Sequence, residues 1–190
     1  MPSMPSAFPR LSLLSLACCA SLGLPAAHAL DLKSADLRDH GTLGAKQVLN
    51  GFGCQGSDQS PQLAWSDPPA GTKSFVVTVY DPDAPTGSGW WHWIVYDIPA
   101  DVHSLAAGVG TEGSAKLPAG AQQGRSDFGT LAFGGACPPA GDKPHRYVVT
   151  VHALKVDKLP VPAAPSGAMV GFMVHANALG SAQLTATYGR

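Results

Sequence analysis

The most restrictive feature of this sequence is a set of short β-branched and aromatic segments. Loops rich in Gly and Pro separate these segments. Three of them are Phe75–Tyr80, Trp90–Ile98 and His145–Val156, whose composition is typical of strands. The 22 Gly and 17 Pro among 190 residues argue against a bundle of long helices. Strands do not alternate regularly with helices, which argues against a doubly wound sheet. The sequence therefore predicts a mainly β fold with antiparallel strands and few helices.

Side-chain periodicity gives more detailed expectations. A helix is predicted over Gly167–Leu179, with Ser166 as its N-cap and Gly180 at its end, and a final strand over Gln183–Tyr188. The apolar side chains that recur at helical spacing are Met169, Phe172, Met173 and Ala176. In the second strand, strict alternation places Trp90, His92, Ile94 and Tyr96 on one face and Trp91, Trp93, Val95 and Asp97 on the other.

The N-terminus has the pattern of a secretory signal peptide. Arg10 is the only charged residue in the first thirty, an apolar run follows it, and a small-x-small tripeptide ends the run at 27–29. We expect cleavage of residues 1–29, leaving residues 30–190 as a single periplasmic or secreted domain. The alternatives are a membrane anchor, for which the apolar run is short, and lipid attachment at Cys18, where the following residues are too apolar for a tether.

Two cysteines, Cys54 and Cys137, follow the predicted leader. Export places a protein in an oxidising compartment, where paired thiols tend to form a disulfide. We therefore predict a Cys54–Cys137 bond; two free thiols are the alternative and would suit a cytosolic protein better.

Charge excludes some classes of partner. The chain carries 12 Lys and Arg against 13 Asp and Glu, a formal net charge of -1, and only 13% of its residues are charged. Nucleic-acid binders and polybasic membrane-surface proteins need a strongly basic face. We expect neither partner class, and no segment after the leader is apolar enough to span a membrane.

Titratable residues gather at three junctions between strands and loops. Asp81 and Asp83 follow the first strand, His92 lies near the start of the second, and His145 opens the third. Imidazoles beside carboxylates can bind a metal, perform acid–base catalysis or bind an anion. The metal interpretation lacks a compact ligand motif and the hydrolase interpretation lacks a Gly-x-Ser-x-Gly elbow, so we expect no metal, no cofactor and no catalytic residue. The remaining histidines are interpreted as ordinary surface or core residues: His28, His40, His103, His152 and His175.

Several motifs together resemble the phosphatidylethanolamine-binding protein family, and in particular its bacterial, Raf-kinase-inhibitor-like branch. The resemblance extends from about Gln47 to the last residue. It is carried by Asp-Pro-Asp-Ala-Pro at 81–85, Trp-Trp-His-Trp at 90–93, Pro138-Pro139, His145-Arg146-Tyr147, Ser60–Trp65 and Ser166–Phe172.

This resemblance implies two packed antiparallel sheets with a small pocket at one end. The pocket would accept phosphate, phosphoryl head groups or acetate-like anions. The residues that the resemblance assigns to its polar lining are Asp81, His92 and His145, and those assigned to its walls are Ala84, Pro85, Trp90, Pro138, Pro139 and Tyr147. The role implied is anion binding with a regulatory or inhibitory outcome and an unidentified protein partner.

The sequence departs from the family pattern at Cys137, where many relatives have a small residue, often Gly. A bond from Cys137 to Cys54 would fix the pocket rim, so we expect reduction to loosen ligand binding. Because unperturbed His titrates near pH ~6.5, we also expect tighter phosphate binding at mildly acidic pH. Two other functions stay open: acid–base chemistry on phosphoesters by Asp81, His92 and His145, and protease inhibition through the Gly/Pro loops.

Overall fold

The computed structural model describes residues 29–112 and 116–190. Nearly all of the predicted leader, with Cys18 and His28, lies outside the described residues. The strands are β1 (Asp31–Lys33), β2 (Gly41–Thr42), β3 (Asn50–Gly51), β4 (Cys54–Gln55), β5 (Leu63–Ser66), β6 (Ser74–Asp81), β7 (Trp90–Pro99), β8 (Ser104–Leu105), β9 (Gln122–Gln123), β10 (His145–Leu154) and β11 (Ala178–Tyr188). The helices are a 3₁₀ turn at Ala45–Gln47 and α1 at Gly167–Asn177.

Two sheets and one hairpin contain these strands. The main sheet has the order β2-β11-β10-β6-β7-β9, and a smaller sheet has the order β1-β5-β8. All neighbours are antiparallel except β2 and β11, which are parallel. The hairpin pairs β3 with β4. The predicted fold class, a mainly β single domain of two packed antiparallel sheets, is confirmed.

The main sheet is buried on both faces. One face packs on the small sheet, where Leu63, Trp65 and Leu105 meet Phe75 and Val77. The other face carries α1, whose Val170 and Val174 pack with residues such as Val76 and Ile94. Burial on both sides explains why β6 reads as a continuous run of apolar residues rather than an alternating one. The described residues contain no helix with the length and apolar character needed to cross a bilayer.

The predicted alternation along β7 is wrong beyond His92. Trp91 pairs with Tyr80, whereas Trp93 pairs with Val79, so His92 is the extra residue of a β-bulge. A bulge exchanges the two faces for the residues that follow it, here as far as Tyr96, because a second register shift opposite Val76 returns Ile98 to the core face. Trp93 and Val95 therefore lie in the core between the sheets, and Ile94 and Tyr96 lie on the α1 face beside Trp91.

The predicted helix is also corrected at its end and in its buried face. The Ser166 hydroxyl oxygen accepts the Met169 N–H at 3.2 Å, as expected of an N-cap, but the helix ends at Asn177. Gly180 lies inside β11, paired with Ala153, because β11 begins directly after the helix. The buried face consists of Gly167, Val170 and Val174, whereas Met169 and Phe172 are exposed. Gly167 sets this orientation, since a Cβ there would collide with the Trp91 ring.

Candidate functional site

A cavity of about 170 Å³ opens at one end of the main sheet. Because β6 is antiparallel to both of its neighbours, its last residue lies beside the first residues of β7 and β10. This topology brings together side chains that are far apart in the chain. All nine residues that the resemblance assigns to the pocket line the cavity: Asp81, Ala84, Pro85, Trp90, His92, Pro138, Pro139, His145 and Tyr147.

Asp81 shapes the loop that follows β6. Its side chain is almost fully buried, and its Oδ1 accepts the backbone N–H groups of Asp83 at 2.8 Å and Ala84 at 3.1 Å. These are the contacts of an Asx turn, which folds residues 81–85 back over the pocket. The second oxygen, Oδ2, accepts the Nδ1–H of His145 at 2.8 Å. Asp81 therefore fixes both a wall of the cavity and the orientation of one imidazole.

His145 lies between two carboxylates. Because a carboxylate can only accept, the Nδ1 of His145 carries a hydrogen in this contact with Asp81. The other ring nitrogen, Nε2, lies 3.5 Å from Oδ2 of Asp142, a half-exposed residue of the loop before β10. Asp142 therefore places a second negative group close to the pocket.

His92 occupies the bulge of β7 and is buried. Its Nδ1–H donates to the Gly134 carbonyl at 2.7 Å, so Nε2 is the ring nitrogen that remains for a ligand. Burial lowers the pKa of His92, while the Gly134 hydrogen bond and the negative charge of Asp81 act in the opposite direction. The neutral ring can only accept through Nε2, and the protonated ring can donate through it.

Arg146 follows His145 but is engaged outside the pocket. Its Nε and Nη2 donate to the two carboxylate oxygens of Asp83 at 2.8 and 2.9 Å, and its backbone N–H donates to the same carboxylate at 2.9 Å. The Arg146 guanidinium holds the pKa of Asp83 well below its usual range. This bidentate pair ties the loop at 81–85 to β10, and its positive charge is already matched by Asp83.

Aromatic rings enclose the inner imidazole. Phe128 lies edge-to-face with His92 at a centroid distance of 5.4 Å and with Trp90 at 5.3 Å. Tyr147 also lies edge-to-face with His92, at a centroid distance of 5.1 Å. Burial raises the pKa of Tyr147, so its phenol stays neutral. The His92 side chain is thus packed against two aromatic rings.

Two adjacent glycines bring the 128–139 loop close to the pocket. A Cβ on Gly134 would collide with the Phe128 ring, and a Cβ on Gly135 would collide with the backbone at Val48 and Leu49. Gly135 also donates its N–H to Asp58 at 2.6 Å. The Gly134 carbonyl can reach His92 because these positions lack side chains.

Four lining residues were not predicted: Phe52, Thr86, Phe128 and Cys137. Cys137 was expected only at the rim, and the structure joins it to Cys54 in the predicted disulfide, with the two Cα atoms 6.0 Å apart. Thr86 directly follows the 81–85 motif, so its position was accessible from the sequence. Phe52 and Phe128 carried no local signal, because they lie in loops without periodicity.

The other described histidines lie elsewhere. His40 and His175 are exposed, and the ring of His103 packs against Phe75 at 6.0 Å. His152 is partly buried, and desolvation lowers its pKa to about 4. None of these four lines the pocket. Within residues 29–112 and 116–190, no three His, Cys, Asp or Glu side chains are grouped so as to hold a metal ion.

Comparison with known proteins identifies the family. The model of the phosphatidylethanolamine-binding protein family matches residues 33–189. The chain belongs to this family. Two curated relatives from Escherichia coli strain K12, the UPF0098 proteins YbcL and YbhB, are each 54% identical to it. The alignments cover 85% of this chain and 88% of YbcL, and 84% of this chain and 99% of YbhB.

Solved structures agree with the family assignment. The crystal structure of Escherichia coli YbcL, described as a member of the mammalian family, superposes with a TM-score of 0.84 at 52% identity, over 86% of this chain and 99% of YbcL. The homologue CT736 from Chlamydia trachomatis gives a TM-score of 0.71 at 31% identity, over 85% of this chain and 98% of CT736. Membership of the phosphatidylethanolamine-binding protein family supports a binding role for this chain.

Proposed function

We propose that this chain is an exported binding protein that recognises a phosphoryl group or a similar small anion in the pocket at the end of the main sheet. The observation that carries the proposal is the convergence of Asp81, His92 and His145, from three strands, on one cavity. A volume of about 170 Å³ suits a small anion, since pockets for drug-sized ligands are about 300–1,000 Å³.

The donor set indicates how an anion would be held. His92 already donates through Nδ1 to Gly134, so it can donate to a ligand only through Nε2, and only when the ring is protonated. Arg146 supplies no free charge, because Asp83 pairs with it. We infer that anion binding takes up a proton at His92, and that affinity rises as the pH falls.

Calorimetric titration with sulfate tests this proposal, because sulfate keeps its charge across the pH range used. We expect measurable binding at pH 5.5 that weakens by up to about tenfold for each pH unit above the His92 pKa, the limit for uptake of one proton. His92→Gln should remove this pH dependence. His152→Gln, which changes a partly buried histidine outside the pocket, should keep it. Absence of sulfate binding at pH 5.5, where binding should be measurable, would overturn the proposal.

We further propose that the pocket binds without catalysing a reaction. Within the described residues, no hydroxyl or thiol is hydrogen-bonded to His92 or His145, as an activated nucleophile would be. Cys137 lines the pocket but is held in the disulfide. Incubation with p-nitrophenyl phosphate should release no nitrophenol above background. Turnover that disappears in His92→Ala would replace binding by enzymatic phosphoester chemistry.

Export is supported by the pattern of residues 1–29 and by the disulfide, which suits an oxidising compartment. Mass spectrometry of protein purified from its own compartment should give a chain starting at Leu30 with two fewer hydrogens than the dithiol form. A lipid-modified Cys18 would contradict cleavage after Ala29. The same sample, extracted for lipids and other small molecules, reports whether a phosphoryl compound is bound.

A further inference from the structure

The turn between β3 and β4 carries an unexpected residue. The hairpin pairs Gly51 with Cys54, which leaves Phe52 and Gly53 as a two-residue turn. Both have positive φ, 52° and 84°, as in a type I′ turn. The first position of such a turn favours Asn, Asp or Gly, and a bulky residue there is a conformational outlier. Local backbone preference therefore disfavours Phe52.

Solvation disfavours Phe52 as well. Phe52 is 74% exposed, the largest exposed fraction among the large apolar residues that the structure describes. It nevertheless lines the mouth of the pocket, where its ring stacks with Phe128 at a centroid distance of 6.1 Å and an interplanar angle of 24°. Neither the backbone conformation of the turn nor burial in the core favours Phe at position 52. The role that remains for its side chain is in the pocket.

Two sets of contacts hold the turn at the pocket mouth. The disulfide joins Cys54, directly after the turn, to Cys137 in the pocket wall. The Arg190 guanidinium donates to the carbonyl groups of Phe52 and Gly53 on one side, at 3.3 and 3.4 Å, and to that of Pro138 on the other, at 2.8 Å. The ring of Phe52 is therefore kept beside the pocket rather than left to move with a free hairpin.

The rim around the polar floor of the pocket is apolar. Phe52 and Phe128 form one side, and Pro138, Pro139 and Pro85 also line the cavity. These aromatic and proline surfaces pack well on an apolar group and offer a polar substituent no hydrogen bond. A ligand whose anionic end reaches His92 would place its organic part against this rim.

We propose that Phe52 is a specificity-determining residue that packs against the apolar body of a phosphomonoester, so that the pocket prefers such an ester to free phosphate or to an ester with a polar body. The inference rests on the proposed anion binding and adds the class of ligand. Phe52 is exposed because the ligand completes its packing.

Titration calorimetry at pH 5.5 with phenyl phosphate, glycerol 1-phosphate and inorganic phosphate tests this inference. We expect phenyl phosphate to bind about five- to tenfold more tightly than glycerol 1-phosphate, the usual gain from one aromatic contact. In Phe52→Asn this ratio should fall several-fold toward one, with only the contacts of Phe128 and the prolines remaining. Asn fits the turn better than Phe, so the melting temperature should not fall. Phe172→Asn makes the same chemical change at an equally exposed site on α1, 72% exposed, and should keep the ratio.

The outcomes separate the inference from the proposed function. Three results would overturn the role of Phe52 and leave anion binding intact. The unchanged protein could show no preference for phenyl phosphate over glycerol 1-phosphate, the preference could survive Phe52→Asn, or it could be lost equally in Phe172→Asn. Binding of none of the three ligands would overturn the anion pocket itself, and this inference with it.

Discussion

Loss of the Cys54–Cys137 disulfide should lower the free energy of unfolding more than any of the single substitutions described below. The bond closes a loop that spans 83 residues of sequence. In the chain-entropy model, a loop of that length stabilises the folded state by about 4.5 kcal/mol at 25 °C, near the top of the usual range for native disulfides. For a domain of this size, removal of the bond should therefore lower the melting temperature by about 9–18 °C.

The structure also shows why the fold should survive without this bond. The loop that carries Cys137 is tied to the chain by backbone hydrogen bonds, from Leu49 to the Ala136 carbonyl at 3.0 Å and from Ala136 to the Gln47 carbonyl at 2.9 Å. Arg190 still links the turn to Pro138. We therefore expect a folded but less stable protein in which loosening is confined to the pocket rim, with sulfate affinity lower by a few-fold.

The measurement compares the double variant Cys54→Ser/Cys137→Ser with the unchanged protein, with and without reductant. Guanidinium unfolding gives the change in stability, and calorimetry with sulfate gives the change in affinity. The reduced protein and the double variant should agree. A stability loss below about 1 kcal/mol would refute loop closure as the source of stabilisation, and equal sulfate affinity in all samples would refute fixation of the rim.

Three further predictions concern residues that position the site and the helix. Asp81→Asn should cost about 1.5–3 kcal/mol in urea unfolding, because the amide keeps an acceptor for the turn but loses the charge-assisted bond from His145; an unchanged midpoint would contradict this role. Burial lowers the pKa of His92 in the folded protein below its unfolded-state pKa of about 6.5. The stability that the neutral, buried ring contributes is therefore present above pH ~6.5 and is lost as the pH falls below it. Burial lowers the pKa of His152 as well, so both histidines make the protein less stable at low pH. The test is whether the melting temperature of His92→Gln falls less between pH 7.5 and pH 5.5 than that of the unchanged protein. Ser166→Ala should lower stability by about 1 kcal/mol through loss of the N-cap, and an unaltered thermal melt would show that the cap contributes nothing.

The resemblance predicts the site residues, because the motifs at 81–85, 90–93 and 145–147 carry them. The structure explains why they converge: Asp81 ends β6, and His92 and His145 lie near the starts of its antiparallel neighbours β7 and β10. Strand boundaries alone do not predict this convergence, because the order of the strands in the sheet is set by the tertiary fold. The faces of β7 could not be predicted in this way, because one extra residue at His92 shifts the alternation and leaves no mark in composition.

Two aromatic residues of the rim and the strands of the small sheet could not be predicted, for different reasons. Phe52 and Phe128 come from loops, and only the tertiary fold brings them to the pocket. The strands of the small sheet, Asp31–Lys33, Leu63–Ser66 and Ser104–Leu105, are too short to show a period of two. Their pairing depends on the long-range core between the sheets, which no window of the sequence contains.

Charge at the pocket connects the two proposals. Asp81 and Asp142 contribute negative groups beside His145, and the guanidinium of Arg146 is held by Asp83. With the His92 ring neutral, these groups offer an anion no unmatched positive charge, which is why the proposed binding takes up a proton with the ligand. An apolar contact does not depend on pH, so a rim that packs on the body of the ligand would supply affinity under conditions in which His92 is neutral. The buried imidazole and the exposed ring of Phe52 both contact Phe128. A ligand that packs on the apolar rim therefore also contacts Phe128, which packs against His92. We expect the apolar contribution and the His92 contribution to affinity to be coupled rather than additive.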